Sequence, residues 1–585
     1  MQRKTEVARI ARKSYRCFLV LIGLSVAWSY ALGADKPSPK ISSQEACPRR
    51  AEGSTVEDAH DRVSKNGLLE LTLKVRSSID ENGNPRYCYI DENGNYSPTL
   101  RVQPGDALVI HLKNEISLPP TPGAHAHMAK TGAQRRNPCD GGEMSASSMN
   151  LHFHGLAIPP VCHQDETLKT VVQPGDPAFE YRVRIPKSQP PGLYWYHPHV
   201  HGFSEEQLLG GASGALIVEG TSRAVSQVAG LTERVLVIRD EKMPAAAPGD
   251  KPDPNRPTKQ ISINNIPVPY PKYPTAVIKM RPGERQFWRV LNASADTYVN
   301  LAVEYDSKRQ LLGLVSLDGV PLRFGEPDSE NYVPEQTDIF LSPAGRAEFI
   351  ITGPPEGVTG RLATFSMYRG ADEDGRPAAR RIGDQPALRI GQDDNDPFRP
   401  LATIVASSDA SNPRIPDASS ARGTEMEFQP LSGVRPTRKR TLFFSEKLVN
   451  PDDPKSATQF FITEDGRTPA IFDPAAEPNI TVHQGDVEDW TIENRSREVH
   501  TFHVHQLHFL VVGRRGTSWE APSLRDTVNL AAWSGFGSYP SITVRMDFRN
   551  PRIVGTFPFH CHILQHLDGG MMGTVRVEPA EKKAE

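Results

Sequence analysis

Short runs in which apolar and polar residues alternate recur along the whole chain. From Leu69 to Val75 every second residue is apolar, and Leu108, Ile110 and Leu112 follow the same rule. In a β-strand this period of two places one face in the core and the other in solvent. Clusters of Gly, Pro, Asn and Asp bound these runs, as turns do. The pattern therefore predicts many short strands.

Helical periodicity is confined to short segments such as 205–209. Continuous apolar runs such as 235–238 are also bounded by turn residues, which favours buried strands. Pro (52) and Gly (45) together make up about a sixth of the 585 residues, a share that suits numerous turns and long loops. We therefore predict an all-β fold.

A turn followed by a strand occurs three times at one spacing. In each copy an Asn stands nine residues after the Gly of the turn, in the pairs Gly105 and Asn114, Gly283 and Asn292, and Gly485 and Asn494. Any single copy is a common turn, but three copies about 180 to 200 residues apart indicate a repeated unit. Matching last strands at 214–218 and 573–577 support the repeat. We predict three Greek-key β-sandwich domains.

The repeat and the composition divide the chain into six predicted segments. They are a signal peptide (1–34), an N-terminal arm (35–62), a first domain (63–222), a second domain (223–405), a linker (406–438) and a third domain (439–585).

The first 34 residues have the features of an export signal. Basic residues precede an apolar stretch at 17–32, and small residues follow it at Gly33 and Ala34. The stretch is short for a membrane-spanning helix, with an uncleaved anchor as the alternative. We expect a periplasmic or secreted protein that is not membrane-bound after signal removal.

The charge balance excludes some partners. The formal net charge is −3, and no basic run follows the signal. Nucleic acid and anionic membranes are therefore not expected as partners. We expect a monomer that meets small molecules.

One motif near the C-terminus combines several metal ligands. Cys561 stands between His560 and His562, followed by His566 and Met571. One Cys, two His and a weak Met form the ligand set of a blue-copper electron-transfer site. Because neighbouring strand residues face opposite sides, the two flanking histidines would face a second metal centre behind Cys561. The motif thus predicts two connected metal sites.

Three further histidine clusters supply ligands for that second centre. An HxH pair on a strand turns both imidazoles to one face. A single pair is as well explained by solvated or core histidines. Here ten of the 18 histidines fall in four clusters, which argues for metal binding. The three other clusters are His152 and His154, His197 and His199, and His500, His503 and His505.

In this order, HxHG, HxH, HxxHxH and HCHxxxHxxxxM resemble the four copper motifs of the multicopper oxidases, over about residues 65 to 580. That family includes laccases, ascorbate oxidases, bilirubin oxidases and cuprous oxidases, and its domains are cupredoxin-like. The resemblance implies four copper ions. It implies a type 1 copper held by His500, Cys561 and His566 with Met571 as axial ligand, a type 2 copper held by His152 and His503, and a type 3 pair held by His154, His197, His199, His505, His560 and His562.

The same resemblance implies acids that deliver protons during O2 reduction. Asp165, shortly after the first motif, is the best match, and its alternative role is to cap a loop. Many bacterial members have an acid where this chain has Leu567, and the next acid here is Asp568. We therefore expect Asp165 and Asp568 as candidate proton relays.

Two disulfides are expected. Cys17 is expected to leave with the signal and Cys561 to bind metal, so four cysteines remain. An even number of cysteines in an oxidising compartment favours disulfide pairs. Cys139 and Cys162 bracket the first copper motif and are the favoured pair, with free thiols in loops as the alternative.

The resemblance implies an enzyme that oxidises a small reducing substrate and reduces O2 to water. We favour phenols or aromatic amines as substrates. The alternative is a metal-ion oxidase acting on Cu(I), Fe(II) or Mn(II), although the 11 Met residues form no cluster of the kind that suits Cu(I). A remote alternative is a non-enzymatic copper-binding or scaffold protein. Because two motifs fall in the first predicted domain and two in the third, we expect the three-copper cluster between them.

Overall fold

The computed structural model describes residues 46–118, 137–246, 253, 256–326, 332–368, 395–410, 414, 422–425, 427–453, 456–515 and 523–580. About 45% of the chain is strand and 6% is helix, which confirms the predicted all-β fold. The α-helices among these residues are α1 (Ser204–Leu209), α2 (Thr221–Ala224) and α3 (Leu564–Asp568).

The first group of strands forms two sheets. One sheet has the order β1-β4-β9-β8-β6 and the other β3-β2-β5-β7. Alternating apolar residues such as Leu71, Leu73 and Ile110 fill the space between the sheets. The strands are β1 (Asp61–Val63), β2 (Leu68–Ile79), β3 (Pro85–Asp91), β4 (Thr99–Val102), β5 (Ala107–Glu115), β6 (His152–His154), β7 (Phe179–Arg184), β8 (Gly192–His197) and β9 (Gly214–Val218).

The second group has two larger sheets and a separate two-stranded ribbon, β23-β24. The sheets follow the orders β12-β11-β10-β14-β21-β17-β18 and β13-β25-β22-β15-β16, with β19 beside β17 and β20 beside β15. The strands are β10 (Thr232–Lys242), β11 (Lys259–Ile263), β12 (Ile266–Pro267), β13 (Ala276–Met280), β14 (Arg285–Asn292), β15 (Val299–Tyr305), β16 (Lys308–Arg309), β17 (Leu312–Leu317), β18 (Val320–Pro321), β19 (Glu335–Gln336), β20 (Ile339–Leu341), β21 (Arg346–Thr352), β22 (Thr359–Thr364), β23 (Met367–Tyr368), β24 (Asn395–Asp396) and β25 (Arg399–Ala406).

The third group again forms two sheets, β27-β26-β29-β34-β31-β32 and β28-β36-β35-β30-β33. Trp490, Phe502 and Phe559 lie in the apolar core between them. The strands are β26 (Arg438–Leu448), β27 (Thr458–Glu464), β28 (Ile480–His483), β29 (Val487–Asn494), β30 (His500–Val504), β31 (Phe509–Arg515), β32 (Leu524–Arg525), β33 (Thr527–Leu530), β34 (Ser541–Asp547), β35 (Gly555–Cys561) and β36 (Met572–Glu578).

The strands that follow the three repeated turns occupy equivalent places in their sheets. Strands β5, β14 and β29 each pair in parallel with the first long strand of their group, which is β2, β10 and β26 respectively. Each ends in or near a buried Asn, whose side-chain oxygen accepts the backbone N–H two residues on: Asn114, Asn292 and Asn494. Because the amide group of each also donates to backbone carbonyls, a buried Asn fixes the bend after the strand.

The described part of the N-terminal arm is anchored to the folded body. Cys47 forms a disulfide with Cys88 of β3. Val56 donates its backbone N–H to the carbonyl of Val277 at 2.8 Å. Since β1 pairs with β4, the end of the arm is already part of a sheet.

The predicted signal at 1–34 lies outside the described residues. Within the described ranges, no helix has both the length and the apolar character needed to cross a membrane. The boundaries at 222, 405 and 438 stay predictions.

Candidate metal centres

Cys561, His500 and His566 form one compact group, called here the Cys561 site. The Cys561 Sγ lies 3.7 Å from Nδ1 of His500 and 3.6 Å from Nδ1 of His566, and the two nitrogens are 3.1 Å apart. Metal ions bind nitrogen and sulfur at about 2.0 to 2.3 Å, so donor atoms with these separations can share one ion. All three side chains are at most 1% exposed.

Strand pairing and one short helix bring these ligands together. Cys561 ends β35, which runs antiparallel to β30, the strand that begins with His500. His566 lies in α3, directly after β35. Met571 is fully buried, and its backbone bonds to both the His566 carbonyl and the Cys561 N–H. Cys561 and His566 of the last motif therefore meet His500 of the third motif.

The surroundings favour the thiolate form of Cys561. Burial alone raises the pKa of this thiol, but hydrogen bonding with His500 and His566 lowers it to about 6. The backbone N–H of Thr501 also points at the sulfur, at 3.4 Å. Because the thiolate is the metal-binding form of cysteine, the site is prepared for a metal ion.

Two carboxylates lie on the outer side of the Cys561 site. Glu446 Oε1 is 3.0 Å from His500 Nε2, and Glu498 Oε1 is 3.4 Å from His566 Nε2. Burial, and secondly the charge of Glu498, raise the pKa of Glu446 to about 8. The ring of Phe460 stacks on His566 with centroids 4.3 Å apart. Sequence reasoning missed both acids; Glu498 had a local signal, two residues before His500, and Glu446 had none.

Eight histidines form a second group on the other side of β35, called here the histidine cluster. Its potential ligand atoms fall into sets within 4.8 Å of one another. The Nε2 atom of His560 lies 3.3 Å from Nε2 of both His199 and His505. The sets are His152, His154 and His503; His154, His197 and His562; and His199, His505 and His560.

Burial favours the neutral, metal-binding form of seven cluster histidines, which are His154, His197, His199, His503, His505, His560 and His562. Burial, reinforced by neighbouring histidines, lowers the pKa of His154, His197 and His505 well below the usual value. The pKa of His560 falls to about 3, mainly because of burial.

Several ring nitrogens of the cluster have no hydrogen-bond partner among the described residues. A buried polar atom without a partner costs about 1–3 kcal/mol, so several in one place indicate that something else satisfies them. A set of metal ions fits this donor arrangement. The atoms are His152 Nε2, His154 Nδ1, His197 Nε2, His503 Nε2, His505 Nδ1 and both ring nitrogens of His562.

The strand pattern explains how the cluster forms. His152 and His154 lie on β6 with Phe153 between them in the apolar core, and His152 pairs with His197 on β8. His199 lies beyond the end of β8, where the side chain of Asn150 accepts its backbone N–H at 2.7 Å. The period of two thus turns His152 and His154 toward the cluster, and Asn150 places His199 beside them.

The same alternation separates the two metal centres. His560 and His562 each contact His503 in the cluster, with ring centroids 5.2 and 5.5 Å apart. Cys561 between them faces His500 and His566 instead. The two centres are therefore joined through three consecutive residues at the end of β35.

Gly155 ends the first motif with a φ of +88°, a conformation that favours glycine. A Cβ atom at this position would lie 2.6 Å from Asp526 Oδ2 and 2.9 Å from Arg346 Nη2. The motif therefore needs glycine here because a buried ion pair approaches the backbone.

Asp165 contacts the histidine cluster directly. Its carboxylate lies 3.0 Å from Nδ1 of His152 and accepts the backbone N–H of Phe153 at 2.9 Å. The side-chain amide of Gln506 also donates to it. This contact orients His152 so that its other nitrogen points into the cluster.

Asp568 lies elsewhere. Its carboxylate accepts the backbone N–H of Glu205 at 2.8 Å, at the start of α1. Burial raises the pKa of Asp568 to about 7. This contact ties α3 to the helix that follows the second histidine motif, and among the described residues no hydrogen bond or ion pair joins Asp568 to a cluster histidine.

Asp526 is an acid of the cluster that sequence reasoning missed. Its Oδ1 is 3.2 Å from His154 Nε2, and its backbone carbonyl is 2.8 Å from His503 Nδ1. Burial raises the pKa of this carboxyl, but the buried guanidinium of Arg346 at 2.8 Å brings it well below the usual value. Asp526 lies between the last two motifs and 372 residues from His154, so no local pattern marks it.

A cavity of about 590 Å³ approaches the cluster from outside. Gln506 and His508 line it. Gln506 donates to Asp165, and His508 Nε2 lies 3.5 Å from Asp526 Oδ2. Two lining residues thus contact the two acids that touch the cluster.

Both expected disulfides are present, Cys47 with Cys88 and Cys139 with Cys162, and Cys561 is the free cysteine of the described residues.

The sequence matches two family models, each described as multicopper oxidase, over residues 142–223 and 446–581. These two ranges contain all four histidine motifs.

Curated relatives have low sequence identity to this chain but match it over most of its length. The multicopper oxidase mco of Staphylococcus haemolyticus is 22% identical over 536 residues, which cover 89% of this chain and 91% of that protein. The iron transport multicopper oxidase fetC of Epichloe festucae is 22% identical over 83% of this chain and 72% of its own length. A laccase of Haloferax volcanii is 23% identical over 72% of this chain and 66% of its own length.

Solved structures share the fold. The McoA multicopper oxidase variant 2F4 of Aquifex aeolicus superposes with a TM-score of 0.61 at 17% identity, covering 90% of this chain and 99% of that one. The fold is therefore that of the cupredoxin-type multicopper oxidases. The family implies copper as the metal, and O2 and a reducing substrate as reactants. The two family matches identify residues 142–223 and 446–581 as multicopper oxidase domains, and the relatives to which the chain is similar over most of its length are multicopper oxidases.

Proposed function

We propose that this protein takes electrons singly from a reducing substrate at the Cys561 site and uses them to reduce O2 to water at the histidine cluster. The observation that carries the proposal is the position of Cys561 between His560 and His562. These three consecutive residues serve both centres, so electrons have a covalent route between them.

The ligand sets implied by the family resemblance are compatible with the groups of donor atoms. His500, Cys561, His566 and Met571 would hold the type 1 copper. His152 and His503 would hold the type 2 copper. The type 3 pair would divide the remaining six histidines into two triads, His154, His197 and His562, and His199, His505 and His560.

Copper, when bound, supplies the one-electron chemistry at the first site and the O2 chemistry at the cluster. The protein supplies geometry. Asp165 accepts from Nδ1 of His152, and the carbonyl of Asp526 accepts from Nδ1 of His503, so each ring keeps its other nitrogen for metal.

The cavity lined by Gln506 and His508 would give O2, water and protons a way to the cluster. Gln506 bonds to Asp165 and His508 approaches Asp526, so both buried acids have a polar neighbour at the cavity wall. Asp165 is the better proton-relay candidate, because it contacts His152. Asp568, which holds α1, is the weaker one.

Phenols and aromatic amines are the substrates that the sequence favours. The structure adds one specific observation in favour of a metal cation such as Fe(II). Glu498 places a carboxylate at the outer nitrogen of His566, where a cation could bind and pass an electron inward, and Glu446 beside His500 would ionise to join it once a cation binds. Both histidines are at most 1% exposed, which disfavours direct contact with a bulky ring.

O2 uptake with a dimethoxyphenol, Fe(II) and Cu(I) separates these candidates. For a metal-ion oxidase, Glu446→Gln and Glu498→Gln should each raise the KM for the metal ion roughly tenfold. Two opposite charges 4 Å apart near a protein surface attract each other by ~4 kcal/mol, and the hydration that both charges lose on binding offsets most of this attraction. Activity toward the phenol should then be absent or insensitive to both changes. The control is Glu493→Gln, because Glu493 pairs with Arg495. No O2 uptake with any donor would favour a non-enzymatic copper-binding or scaffold protein.

We also propose that the protein is exported to the periplasm or secreted and acts as a monomer. Two disulfides support an oxidising compartment. If the domains end as predicted, the cluster lies between the first and the third, because His152 to His199 and His503 to His562 belong to different domains.

A further inference from the structure

A segment outside all four histidine motifs forms hydrogen bonds with both elements that carry histidines of the Cys561 site, α3 and β30. It runs from Ala295 to Tyr298, just before β15, and is called here the clamp segment. The carbonyl of Ala295 accepts the N–H of Leu564 at 3.0 Å, and Asp296 Oδ1 accepts the N–H of Gln565 at 3.2 Å. Both donors belong to α3, which carries His566.

The other end of the clamp segment reaches β30. The hydroxyl of Tyr298 lies 2.7 Å from the hydroxyl of Thr501, the residue next to His500. Tyr298 is 1% exposed, and its ring packs within the apolar core that also contains Cys561 and Met571. This tyrosine therefore enters the core of the third strand group from the second group.

The clamp segment is itself held firmly. The fully buried carboxylate of Asp240 accepts the backbone N–H groups of Ala295, Asp296 and Thr297 at 2.8, 2.9 and 3.0 Å. The N–H of Tyr298 donates to Asp396 at 3.3 Å. Four consecutive N–H groups are thus fixed, so the position of the Tyr298 hydroxyl is set by β10 and β24.

Thr501 transmits that position to the Cys561 site. Its N–H points at Cys561 Sγ at 3.4 Å, and its carbonyl accepts the N–H of His562 at 2.7 Å. Hydrogen bonding around the sulfur of such a site is one of the factors that tune its redox potential. An N–H directed at the thiolate stabilises negative charge on sulfur and so favours the reduced metal.

We propose that Tyr298 is a positioning residue that sets the potential of the Cys561 site. Its hydroxyl holds Thr501, and Thr501 holds the N–H that faces the sulfur. The inference rests on the proposed function, in which the Cys561 site binds the type 1 copper.

Tyr298→Phe tests the inference, because it removes the hydroxyl and keeps the ring in the core. The Thr501 hydroxyl then loses its buried hydrogen-bond partner. The N–H of Thr501 should then point less directly at the sulfur. We expect the equilibrium constant for reducing the copper to fall about threefold, which lowers the one-electron potential by about 28 mV. Thr501→Val should lower the potential similarly, whereas Thr501→Ser, which keeps the hydroxyl, should not. Tyr298→Phe combined with Thr501→Val should lower it no further than either change alone, since the two hydroxyls act as one pair.

The reduction potential is measured by spectroelectrochemical titration of the blue absorption of the copper-loaded protein. The intensity of that absorption is measured separately, with the protein saturated with copper. The control is Tyr305→Phe, because Tyr305 lies on β15 and its hydroxyl donates to the carbonyl of Thr352, away from the Cys561 site. Tyr305→Phe should change stability but leave the potential at the wild-type value. A blue Tyr298→Phe protein with the wild-type potential contradicts this inference alone. A copper-loaded wild-type protein with no blue absorption contradicts the proposed function as well.

Discussion

The Nε2 atoms of His199 and His560 lie 3.3 Å apart, although 361 residues separate the two histidines in the chain. His199 follows β8 in the first strand group, and His560 lies on β35 in the third. The histidine cluster therefore forms only when these two parts of the chain are packed together.

Gly155 is the position where the close approach at the cluster can be tested. Gly155→Ala should displace the Asp526 and Arg346 side chains, because the new methyl would lie 2.6 and 2.9 Å from them. We expect a loss of ~1–3 kcal/mol of unfolding free energy, typical of overpacking, and loss of copper from the cluster while the blue absorption remains. Denaturant unfolding and metal analysis measure both effects.

Gly175→Ala is the matched control for that variant. Gly175 has nearly the same φ, +87°, but a Cβ atom added there would have no atom of the described residues within 4 Å. Backbone strain alone would affect both variants equally. Equal copper loss in both would argue against a role for the Asp526 and Arg346 contact.

Met571→Leu should keep copper in the Cys561 site and raise its potential. A weak axial donor stabilises the oxidised metal, and leucine removes it at similar volume. Redox titration of the blue absorption is the measurement. An unchanged or lower potential would count against Met571 as axial ligand.

Asp165→Asn should slow O2 reduction more than reduction of the type 1 copper. Asp165 contacts His152, whereas Asp568 holds α1, so Asp568→Asn should affect the O2 step less. Stopped-flow reduction under anaerobic conditions, followed by mixing with O2, separates the two steps. If the two variants slowed the O2 step alike, the contact with His152 would not explain the effect.

The disulfide beside the first motif should stabilise the fold. Replacing Cys139 and Cys162 together with serine opens a loop with a sequence separation of 23 residues. Chain-entropy reasoning gives a loss of ~3 kcal/mol. Thermal unfolding with and without reductant measures it, and a double variant as stable as the oxidised wild type would contradict the expected loss.

Local patterns were sufficient to predict the strands and the histidines and cysteine that converge in the two candidate centres. The period of two correctly placed His152 and His154 on one face, and Cys561 opposite His560 and His562, because strand geometry is local. The repeated Asn residues likewise marked three equivalent strands.

Long-range packing decided what the sequence could not show. Asp526 approaches His154 from 372 residues away, and Glu446 approaches His500 from β26. Neither acid belongs to a motif, since each reaches its histidine only through the arrangement of sheets. Tyr298 reaches Thr501 in the same way, from a different strand group.

The most direct test of the two-centre account compares wild type with Cys561→Ser in copper content, blue absorption and O2 uptake. The account predicts about four copper ions per wild-type chain. The variant should keep the fold and the copper of the histidine cluster, lose one copper and the blue absorption, and consume no O2 with any donor. A variant that stays blue, or that still consumes O2 at the wild-type rate, would contradict the account.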